Sequence, residues 1–468
     1  MAEGASLKFG TSGLRGLAHE LTGPEARRYT AAFIAHLESL GARPRELYLA
    51  RDLRDSSPAI LADCAAAASS LGVTPVDCGA VPTPALALHA MAQGAPAIMV
   101  TGSHIPADRN GLKFYTASGE IGKADEAGIL AHLPPAAPET VPVSPREESA
   151  MAAARYRARY AFMLPPGALS GWRIGVFEHA TVAREFIGDI LAGFGADIVP
   201  LGRAEDFVAV DTEAFGDAVL APLAPWLRAH RLDAIVSADG DADRPLLMDD
   251  AGRFLRGDIL GLLTARQLGI DTLVTPVTSN TAIEASGYFR AVHRTRVGSP
   301  YVIAGIEQAL GPDSRVIGFE ANGGTLLGSD IAVAGGTLPA LMTRDAVLPI
   351  VATLGLAAAQ RRKISELVDA LPLRVALADR LTDIPSEASA RLLDRLRADA
   401  ASFFAARAEL VRSADIDGVQ VWLADGAMIH YRASGNAPEL RCYVEADTEP
   451  EARKALHWGL NAAKTALG

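Results

Sequence analysis

The sequence contains few cysteines and no long apolar run. Cys64, Cys78 and Cys442 are the only three cysteines in 468 residues. Their odd number and wide separation support neither a disulfide framework nor a zinc site. Nearly uncharged stretches such as residues 346–359 are shorter than the roughly 20 residues that a membrane-spanning helix needs. We therefore expect neither a disulfide-stabilised secreted domain nor a membrane protein.

An excess of basic residues is also missing. Lys and Arg total 44 against 55 Asp and Glu, which gives a formal net charge of −11. This balance argues against sequence-independent binding of nucleic acid, which needs a broad basic surface. It leaves room for an anionic small molecule in a locally basic pocket. The N-terminal residues do not form an export signal, so we expect a cytoplasmic protein.

The composition, with 49% hydrophobic and 21% charged residues, is typical of a soluble globular protein. At about 150 residues per domain, the length suggests about three domains. Strand-like and helix-like segments alternate, which predicts βαβ units over a mixed or parallel sheet. The proline-rich residues 133–145 predict a linker, and the positions of later α/β stretches raise the count to four. The predicted domains are residues 1–149, 150–254, 255–368 and 369–468.

Several segments have clear expected structures. Helices are predicted over residues 24–40, 57–71 and 449–466. Strands are predicted over residues 47–51, 73–78, 97–100, 233–237, 272–275, 315–319, 428–431 and 440–445. Residues 172–177 begin a second α/β stretch, and residues 260–268 begin a third.

A small polar loop, Thr-Gly-Ser-His, follows the apolar residues 97–100. Ser103 in this loop would lie at the carboxyl end of a strand, where α/β proteins bind ligands. The pattern is not Gly-x-Ser-x-Gly, so it does not indicate the nucleophile elbow of hydrolases. Taken alone, the loop is equally typical of a simple turn.

Three aspartates at alternate positions follow the apolar residues 233–237. Asp239, Asp241 and Asp243 would repel one another without a cation, so their spacing predicts a metal site. An EF-hand is excluded because its sixth position is Arg244 and its twelfth is Asp250. Few oxygen ligands beside an arginine favour Mg²⁺ shared with a phosphate. The alternative is a solvated acidic turn.

A third loop, Glu-Ala-Asn-Gly-Gly, follows residues 315–319. Glu320 and Asn322 offer a carboxylate and a carboxamide two residues apart, which suits hydrogen bonding to vicinal sugar hydroxyls. The same residues are equally typical of an ordinary turn.

A fourth loop lies between the two C-terminal strands and contains Arg432, Ser434, Gly435, Asn436 and Arg441. Two guanidinium groups and a run of backbone N–H groups would form a phosphate cradle. The Gly-Lys-Ser/Thr of a Walker A loop is absent. A solvated turn is the alternative.

Two further cations lie in glycine-containing loops. Arg15 follows Gly13, but the glycine spacing here is not the dinucleotide-binding fingerprint. Lys113 follows the serine loop. Each could bind phosphate or transfer protons, and each is also consistent with an ordinary surface charge.

Taken together and in this order, the five loops resemble those of the α-D-phosphohexomutase family across essentially the whole chain. The resemblance implies an α/β fold with four domains around a central cleft. Three would be related α/β domains with mixed sheets, and the smaller C-terminal domain would be α+β.

The resemblance also implies roles for individual residues. Ser103 would carry the phosphoryl group, Mg²⁺ would be held by Ser103 with Asp239, Asp241 and Asp243, and Arg244 would contact the phosphoryl group. The implied catalytic set is Ser103, His104, Lys113 and Arg15, and Lys113 is favoured as the base because the pKa of arginine is very high. The other implied substrate-binding residues are Glu320, Asn322, Arg432, Ser434, Gly435, Asn436 and Arg441.

The sequence departs from the family pattern in four places. Ile105 stands where asparagine is usual, Asn322 replaces a serine, Gly324 replaces a histidine, and Asn436 stands where threonine is usual. Two of these differences lie in the third loop, which the resemblance implies binds the sugar and which is called the sugar loop below.

The activity implied is interconversion of hexose 6-phosphate and hexose 1-phosphate, with mannose as the expected sugar and a hexose 1,6-bisphosphate as intermediate and activator. Phosphoglucomutase, dual-specificity and phosphoglucosamine mutase activities are alternatives within the family. A sugar-phosphate phosphatase or a non-catalytic sensor is an alternative outside it. The expected partner is a phosphosugar, with neither nucleic acid nor membrane, and no pattern indicates an oligomeric state.

Overall fold

The computed structural model describes residues 6–10, 13–434 and 438–467. The chain divides into two compact units. The first contains Met1–Leu273 and Gly298–Val368, and the second contains Val274–Val297 and Asp369–Gly468. Each unit is built from sheets covered by helices, and the helices of the described residues include none long and apolar enough to cross a membrane.

The first sheet of the first unit is mixed and has the strand order β1-β2-β6-β5-β3-β4-β8, with β7 paired to β6. Strands β3, β4 and β5 are parallel, whereas β6 runs antiparallel to β5 and β2. The elements are β1 (Lys8–Phe9), β2 (Leu14–Leu17), α1 (Ala18–Leu21), α2 (Pro24–Ser39), β3 (Glu46–Arg51), α3 (Ser57–Ser70), β4 (Thr74–Asp77), α4 (Thr83–Met91), β5 (Ala97–Val100), β6 (Arg109–Thr116), β7 (Gly119–Glu120), α5 (Lys123–Ala131) and β8 (Arg146–Glu147).

The proline-rich residues 133–145 contain neither helix nor strand. Arg28 donates a hydrogen bond to the Pro134 carbonyl at 2.8 Å, and Arg27 donates to the Pro138 carbonyl at 3.3 Å. The segment therefore lies along α2, and the chain then enters the edge of the first sheet as β8.

The second sheet has the order β10-β9-β11-β12. Strands β9, β10 and β11 are parallel, and β12 returns antiparallel to β11 after a short loop. Strand β11 is buried along its whole length, which explains its continuous apolar sequence. The elements are α6 (Ser149–Tyr160), β9 (Arg173–Phe177), α7 (Arg184–Gly193), β10 (Asp197–Leu201), α8 (Leu223–His230), β11 (Ala234–Ala238) and β12 (Pro245–Met248).

In the next stretch, β13 carries the chain from the first unit into the second, which then contains α10 and β14. The chain returns to the first unit at α11, where β15, β16 and β19 pair antiparallel in that order and β17 pairs with β18. The elements are α9 (Gly257–Gln267), β13 (Thr272–Pro276), α10 (Ala282–Ala285), β14 (Ala291–Thr295), α11 (Ser299–Ala309), β15 (Val316–Phe319), β16 (Thr325–Leu327), β17 (Ile331–Val333), β18 (Gly336–Leu338), β19 (Leu341–Asp345), α12 (Val347–Gln360) and α13 (Ile364–Asp369).

The C-terminal part of the second unit is an antiparallel sheet with the order β20-β24-β23-β22-β21. Its apolar face packs with residues of the two long helices, including Leu396, Phe404 and Ala455. The elements are β20 (Val375–Thr382), α14 (Ser386–Phe404), β21 (Leu410–Ala414), β22 (Val419–Leu423), β23 (Met428–Ala433), β24 (Glu439–Ala446) and α15 (Glu449–Leu467). This is the α+β arrangement expected for the end of the chain.

Candidate active site

The serine loop begins where the buried strand β5 ends. Ser103 is fully buried, and its φ of 54° lies in the left-handed region that residues other than glycine rarely adopt. The Ser103 N–H donates a hydrogen bond to the Thr101 hydroxyl at 2.8 Å. The turn directs the Ser103 hydroxyl toward Asp239, whose Oδ2 accepts its hydrogen bond at 2.5 Å.

Arg54 holds the serine loop in this conformation. Its side chain is 1% exposed. The guanidinium donates to four backbone carbonyls: Ser103 at 2.9 Å, Ile105 at 2.6 Å, Pro106 at 2.6 Å and Arg109 at 3.0 Å. A Cβ at Gly102 would lie 2.5 Å from the Arg54 Cζ, so the glycine makes this close approach possible. Sequence reasoning missed Arg54, although the polar residues that follow β3 were a signal for it.

The three aspartates lie in the loop between β11 and β12. Asp239, Asp241 and Asp243 are all fully buried, and one oxygen of each lies within 4.8 Å of the others. The loop turns at Ala242, whose φ is 63°. Oδ1 of Asp241 and Oδ1 of Asp243 have no hydrogen-bond partner in the described part of the chain. A compact, buried set of carboxylate oxygens with two unpartnered members fits a hard divalent cation.

The surroundings shift the pKa values of two of these carboxylates in opposite directions. Burial, followed by the neighbouring charges of Asp241 and Asp243, raises the pKa of Asp239 to about 8. Burial would also raise the pKa of Asp243, but Arg344, Lys113 and Arg244 outweigh it and hold that pKa well below its usual range. The pKa values of Asp239 and Asp243 are therefore shifted in opposite directions.

Lys113 and Arg15 reach the aspartates from neighbouring strands. The Lys113 Nζ donates to Oδ2 of Asp241 at 2.6 Å and makes a shorter contact with Oδ2 of Asp243. Strand β2 pairs with β6, which brings Arg15 opposite Gly111. Burial, followed by the charges of nearby arginines, lowers the pKa of Arg15 to about 10. Both predicted cations therefore belong to the site.

His104 and Arg244 complete the surroundings of the serine. Nδ1 of His104 lies 3.2 Å from the Ser103 hydroxyl. Burial, followed by the positive charges of Arg244 and Arg15, lowers the pKa of His104 to about 2, so the imidazole is neutral. The Arg244 side chain is buried, and its Nε lies 3.9 Å from Oδ1 of Asp243.

Thr83, the first residue of α4, contacts the loop of residues 239–243, which is called the metal loop below. Its hydroxyl donates to Oδ2 of Asp241 at 2.5 Å, and its N–H donates to the Asp241 carbonyl at 2.9 Å. The amino end of α4 therefore faces the carboxylate loop, where the helix dipole favours negative charge. The sequence carried no pattern that pointed to Thr83.

The predicted sugar loop connects β15 and β16. Glu320 and Asn322 are both buried to more than nine-tenths. The Gly323 N–H donates to the Glu320 carbonyl at 2.9 Å, and the Asn322 carboxamide oxygen accepts from the Gly324 N–H at 3.0 Å. The loop is therefore a tight turn in which Asn322 has a structural hydrogen bond in addition to its predicted role.

Arg344, on β19, links the sugar loop to the metal loop. Its side chain is 1% exposed. Nη2 lies 2.8 Å from Oδ2 of Asp243, and Nη1 lies 3.5 Å from Oε2 of Glu320. Sequence reasoning missed this residue because Arg344 lies outside every recognised loop. The ion pairs place it with the predicted site residues of the first unit.

The predicted phosphate loop lies in the second unit. Arg432 and Arg441 are paired neighbours on β23 and β24. The Arg432 Nε donates to Asp417 at 2.7 Å, and Nη2 of Arg441 lies 3.5 Å from Glu439. The Ser434 N–H donates to the Glu439 carbonyl at 2.9 Å. The other two predicted residues, Gly435 and Asn436, lie outside the described residues.

Three family models match the chain. They are phosphoglucomutase/phosphomannomutase alpha/beta/alpha domain I over residues 6–136, alpha/beta/alpha domain III over residues 256–375, and the C-terminal domain over residues 377–457. These stretches include the serine, sugar and phosphate loops.

The sequence is similar to those of several mutases. It is 47% identical to a phosphomannomutase of Sinorhizobium fredii, with 98% of this chain and 99% of the relative covered. It is 40% identical to a phosphomannomutase of Salmonella muenchen, with coverages of 99% and 97%. A phosphoglucosamine mutase of Symbiobacterium thermophilum is 31% identical, with coverages of 77% and 80%.

Solved structures share the fold. A phosphoglucomutase/phosphomannomutase family protein from Burkholderia thailandensis gives a TM-score of 0.75 at 20% identity, with 97% of each chain covered. An Aspergillus fumigatus N-acetylphosphoglucosamine mutase in complex with GlcNAc-6P and magnesium gives a TM-score of 0.61 at 14% identity, with 98% of this chain and 96% of the other covered. The expected four-domain α/β architecture is thereby confirmed.

Proposed function

The chain belongs to the phosphoglucomutase/phosphomannomutase family, so it is a phosphohexomutase, and we propose that it interconverts mannose 6-phosphate and mannose 1-phosphate through a phosphoserine at Ser103. The family resemblance drawn from the sequence is confirmed. The two phosphomannomutases that are 47% and 40% identical over nearly the whole chain support mannose as the sugar. The observation that carries the proposal is the Ser103 hydroxyl, 2.5 Å from Oδ2 of Asp239 in the buried aspartate cluster.

The reaction consists of two phosphoryl transfers. A free hydroxyl of the hexose phosphate attacks phosphorus of phosphorylated Ser103, the new sugar O–P bond forms, and the Ser103 Oγ–P bond breaks. The hydroxyl proton passes to a base. The hexose 1,6-bisphosphate then turns end for end and returns its other phosphoryl group to Ser103. The net result moves one phosphate between O1 and O6 and regenerates the phosphoserine.

Asp239, Asp241 and Asp243 would hold Mg²⁺ together with an oxygen at Ser103. Their fit rests on the compact cluster and on the unpartnered oxygens of Asp241 and Asp243. When bound, Mg²⁺ supplies charge neutralisation for the transferring phosphoryl group. The magnesium named with the Aspergillus fumigatus structure is consistent with this proposal.

The buried cations would stabilise the same phosphoryl group. Arg244 and Arg15 lie around the aspartate loop, and a forked guanidinium suits phosphate oxygens. Catalysis of phosphoryl transfer depends mostly on positioning and charge stabilisation. A neutral His104 adds no positive charge, and its Nδ1 is placed to orient the Ser103 hydroxyl when that hydroxyl is unphosphorylated.

Lys113 remains the favoured base and Arg15 the alternative. An amine is ordinarily the better candidate base because the usual pKa of arginine is very high. Burial lowers the pKa of Arg15 to about 10, which keeps Arg15 as the alternative. In the second unit, Arg432, Ser434 and Arg441, with Gly435 and Asn436, would bind the phosphate that does not react.

The test follows the conversion of mannose 1-phosphate by ³¹P NMR, with Mg²⁺ and a trace of mannose 1,6-bisphosphate. We expect mannose 6-phosphate from the unsubstituted protein and a loss of at least about 10³-fold in kcat for Ser103→Ala, because covalent transfer through the hydroxyl is impossible. Ser118→Ala, a substitution in an exposed turn, is the control. Full activity of Ser103→Ala would refute the phosphoserine, and release of free phosphate without isomerisation would identify a phosphatase instead.

The same assay with glucose 1-phosphate and glucosamine 1-phosphate tests the sugar. The phosphoglucosamine mutase relative at 31% identity makes the amino sugar a relevant comparison. We expect the highest kcat/KM with mannose 1-phosphate. A higher value with either other sugar would replace mannose in the proposal while leaving the mutase reaction unchanged.

A further inference from the structure

Arg344 is among the largest fully buried side chains and lies beside carboxylates from three distant parts of the chain. Its nitrogens approach Asp243 of the metal loop at 2.8 Å, Glu320 of the sugar loop at 3.5 Å and Glu120 of β7 at 3.3 Å. A buried guanidinium is costly unless it is paired, and a buried carboxylate needs a partner in the same way. The positions of Asp243 and Glu320 therefore depend on the same cation.

Glu120 anchors Arg344 from the other side. Oε1 of Glu120 accepts hydrogen bonds from the Arg344 N–H and the Thr343 hydroxyl, both at 3.1 Å. Oε2 of Glu120 accepts from the Ser299 hydroxyl at 3.1 Å. Because Glu120 is fixed by β19 and by the start of α11, the guanidinium has a defined location from which it reaches Asp243 and Glu320.

The sugar loop contains the space that Arg344 needs. A Cβ at Gly324 would lie 2.7 Å from the Arg344 Cδ and 3.0 Å from its Cγ, closer than such contacts allow. The φ of Gly324 is not positive, so its backbone does not itself require glycine. The absence of a side chain at position 324 is therefore explained by the passage of the Arg344 side chain over the loop.

We propose that Arg344 is a positioning residue that couples the sugar loop to the metal loop by holding Glu320 and Asp243 in fixed relation. A sugar hydroxyl bound by Glu320 would then be presented at a set distance from the phosphoryl group at Ser103. The inference rests on the proposed mutase function, since it gives Arg344 its effect through Glu320 and Asp243. The arginine itself need not touch the substrate.

A double-mutant cycle tests the coupling to Glu320. Arg344→Met and Glu320→Gln should each lower kcat/KM for mannose 1-phosphate by about 10–100-fold, the range seen when a supporting residue of a site is lost. The double variant should lose little more than the worse single variant, because both changes remove the same interaction. Losses that multiply would show that Arg344 does not act through Glu320 and would overturn the inference.

A binding measurement provides a readout that is independent of turnover. In a Ser103→Ala background, calorimetric titration with mannose 6-phosphate should show weaker binding for Arg344→Met and for Glu320→Gln, and again no multiplication in the combination. Unchanged binding by the Arg344→Met variant would contradict the inference.

Gly324→Ala tests the same contact without removing a charge, and it serves if Arg344→Met fails to fold. The added methyl group should displace the arginine and raise KM in the same direction, whereas Arg344→Met with Gly324→Ala should be no worse than Arg344→Met alone. Gly193→Ala is the matched control, since a Cβ there meets no atom within 4 Å. Wild-type kinetics for Gly324→Ala would overturn the inference.

The two proposals fail in different ways. If the unsubstituted protein does not convert mannose 1-phosphate, the proposed function fails and this inference falls with it. If it does convert mannose 1-phosphate and the losses multiply, the inference alone fails.

Discussion

Arg54 fixes the serine loop, which begins 47 residues after it in the sequence, at Thr101. Its guanidinium donates to four backbone carbonyls between Ser103 and Arg109, and Nε donates to Oδ2 of Asp52 at 3.1 Å. The guanidinium also lies 4.1 Å from the centre of the Phe207 ring. Burial raises the pKa of Asp52, and the charge of Arg54 is the largest of the effects that oppose this rise.

Replacing Arg54 should therefore be severe. Arg54→Met removes the cation that pairs with the fully buried Asp52 and the donor to four backbone carbonyls, and we expect about 3–5 kcal/mol less free energy of unfolding. Urea denaturation measures the loss. Arg51→Met, which removes a single 3.3 Å hydrogen bond to the Asp52 carbonyl, should cost less than about 1 kcal/mol. Equal losses in the two variants would contradict the role assigned to Arg54.

Residues that form a pattern within one loop could be predicted from the sequence, whereas residues that act through tertiary contacts could not. Asp239, Asp241 and Asp243 were predicted as a group because their alternation in one loop is itself the chemical pattern, and the structure brings them together. Arg54 and Arg344 were not predicted, because most of their hydrogen-bond and ion-pair partners lie on other segments of the chain. Buried arginines of this kind look like surface charges until the strands that surround them are placed.

At the scale of elements, the amino end of α4 supports the metal loop. Thr83 is fully buried, and both its hydroxyl and its N–H bind Asp241. A helix end brings unpaired N–H groups and a partial positive charge to this position. The orientation of Asp241 is thus set by a helix of the first sheet, although the aspartate belongs to the second.

Thr83→Val removes the hydroxyl and keeps the shape of the side chain. We expect about 10–100-fold weaker binding of Mg²⁺, because a residue that orients a metal ligand typically contributes that much. Calorimetric titration of the metal-free protein with Mg²⁺ measures the change. Thr353→Val is the matched control, since the buried Thr353 hydroxyl has no hydrogen-bond partner in the described residues. Wild-type affinity in Thr83→Val would refute the support role.

Elements themselves were largely predictable. Strand β5 (Ala97–Val100) has the predicted bounds, and β23 (Met428–Ala433) extends the predicted strand by two residues. Continuous apolar runs define buried strands well because both faces are covered. Short strands such as β7 (Gly119–Glu120) were missed, since two residues carry no periodic signal and pair only because β6 lies beside them.

At the scale of the whole molecule, the order of the loops identified the family, while no single loop did. Each loop alone had an ordinary turn as an alternative, and the succession from Arg15 to Arg441 removed that ambiguity. The boundaries of the four predicted domains stay predictions. The chain forms two compact units. It passes from the first unit to the second within β13, and α10 and β14 belong to the second unit, which also contains the C-terminal sheet. Such an exchange of segments leaves no mark in local composition.

Each unit also contains a buried histidine that is neutral in the folded state. His179 in the first unit and His430 in the second donate from Nε2 to a backbone carbonyl, at 2.8 Å and 2.6 Å. Neither Nδ1 has a hydrogen-bond partner in the described part of the chain. Burial lowers the pKa of each from its ordinary value of 6.5 to about 4. A second proton on the His430 ring would be buried without an acceptor at Nδ1 in the described residues.

Acid should therefore destabilise the protein through these two histidines. Below pH 6.5 these histidines bind protons in the unfolded chain but stay neutral in the folded protein. The free energy of unfolding that they contribute above pH 6.5 is therefore lost as the pH falls toward 4. Each histidine should account for about 2 kcal/mol by pH 5 and about 3 kcal/mol in full. Urea denaturation of wild type and His430→Gln between pH 8 and pH 5 isolates one of them.

The variant should show a shallower pH dependence, whatever its absolute stability, because glutamine carries no titrating proton. His457→Gln, at an exposed position on α15, should leave the slope unchanged. Parallel curves for wild type and His430→Gln would mean that His430 accepts its proton in the folded state. That result would contradict the lowered pKa of His430, because the folded protein would then contain a buried imidazolium without an acceptor at Nδ1.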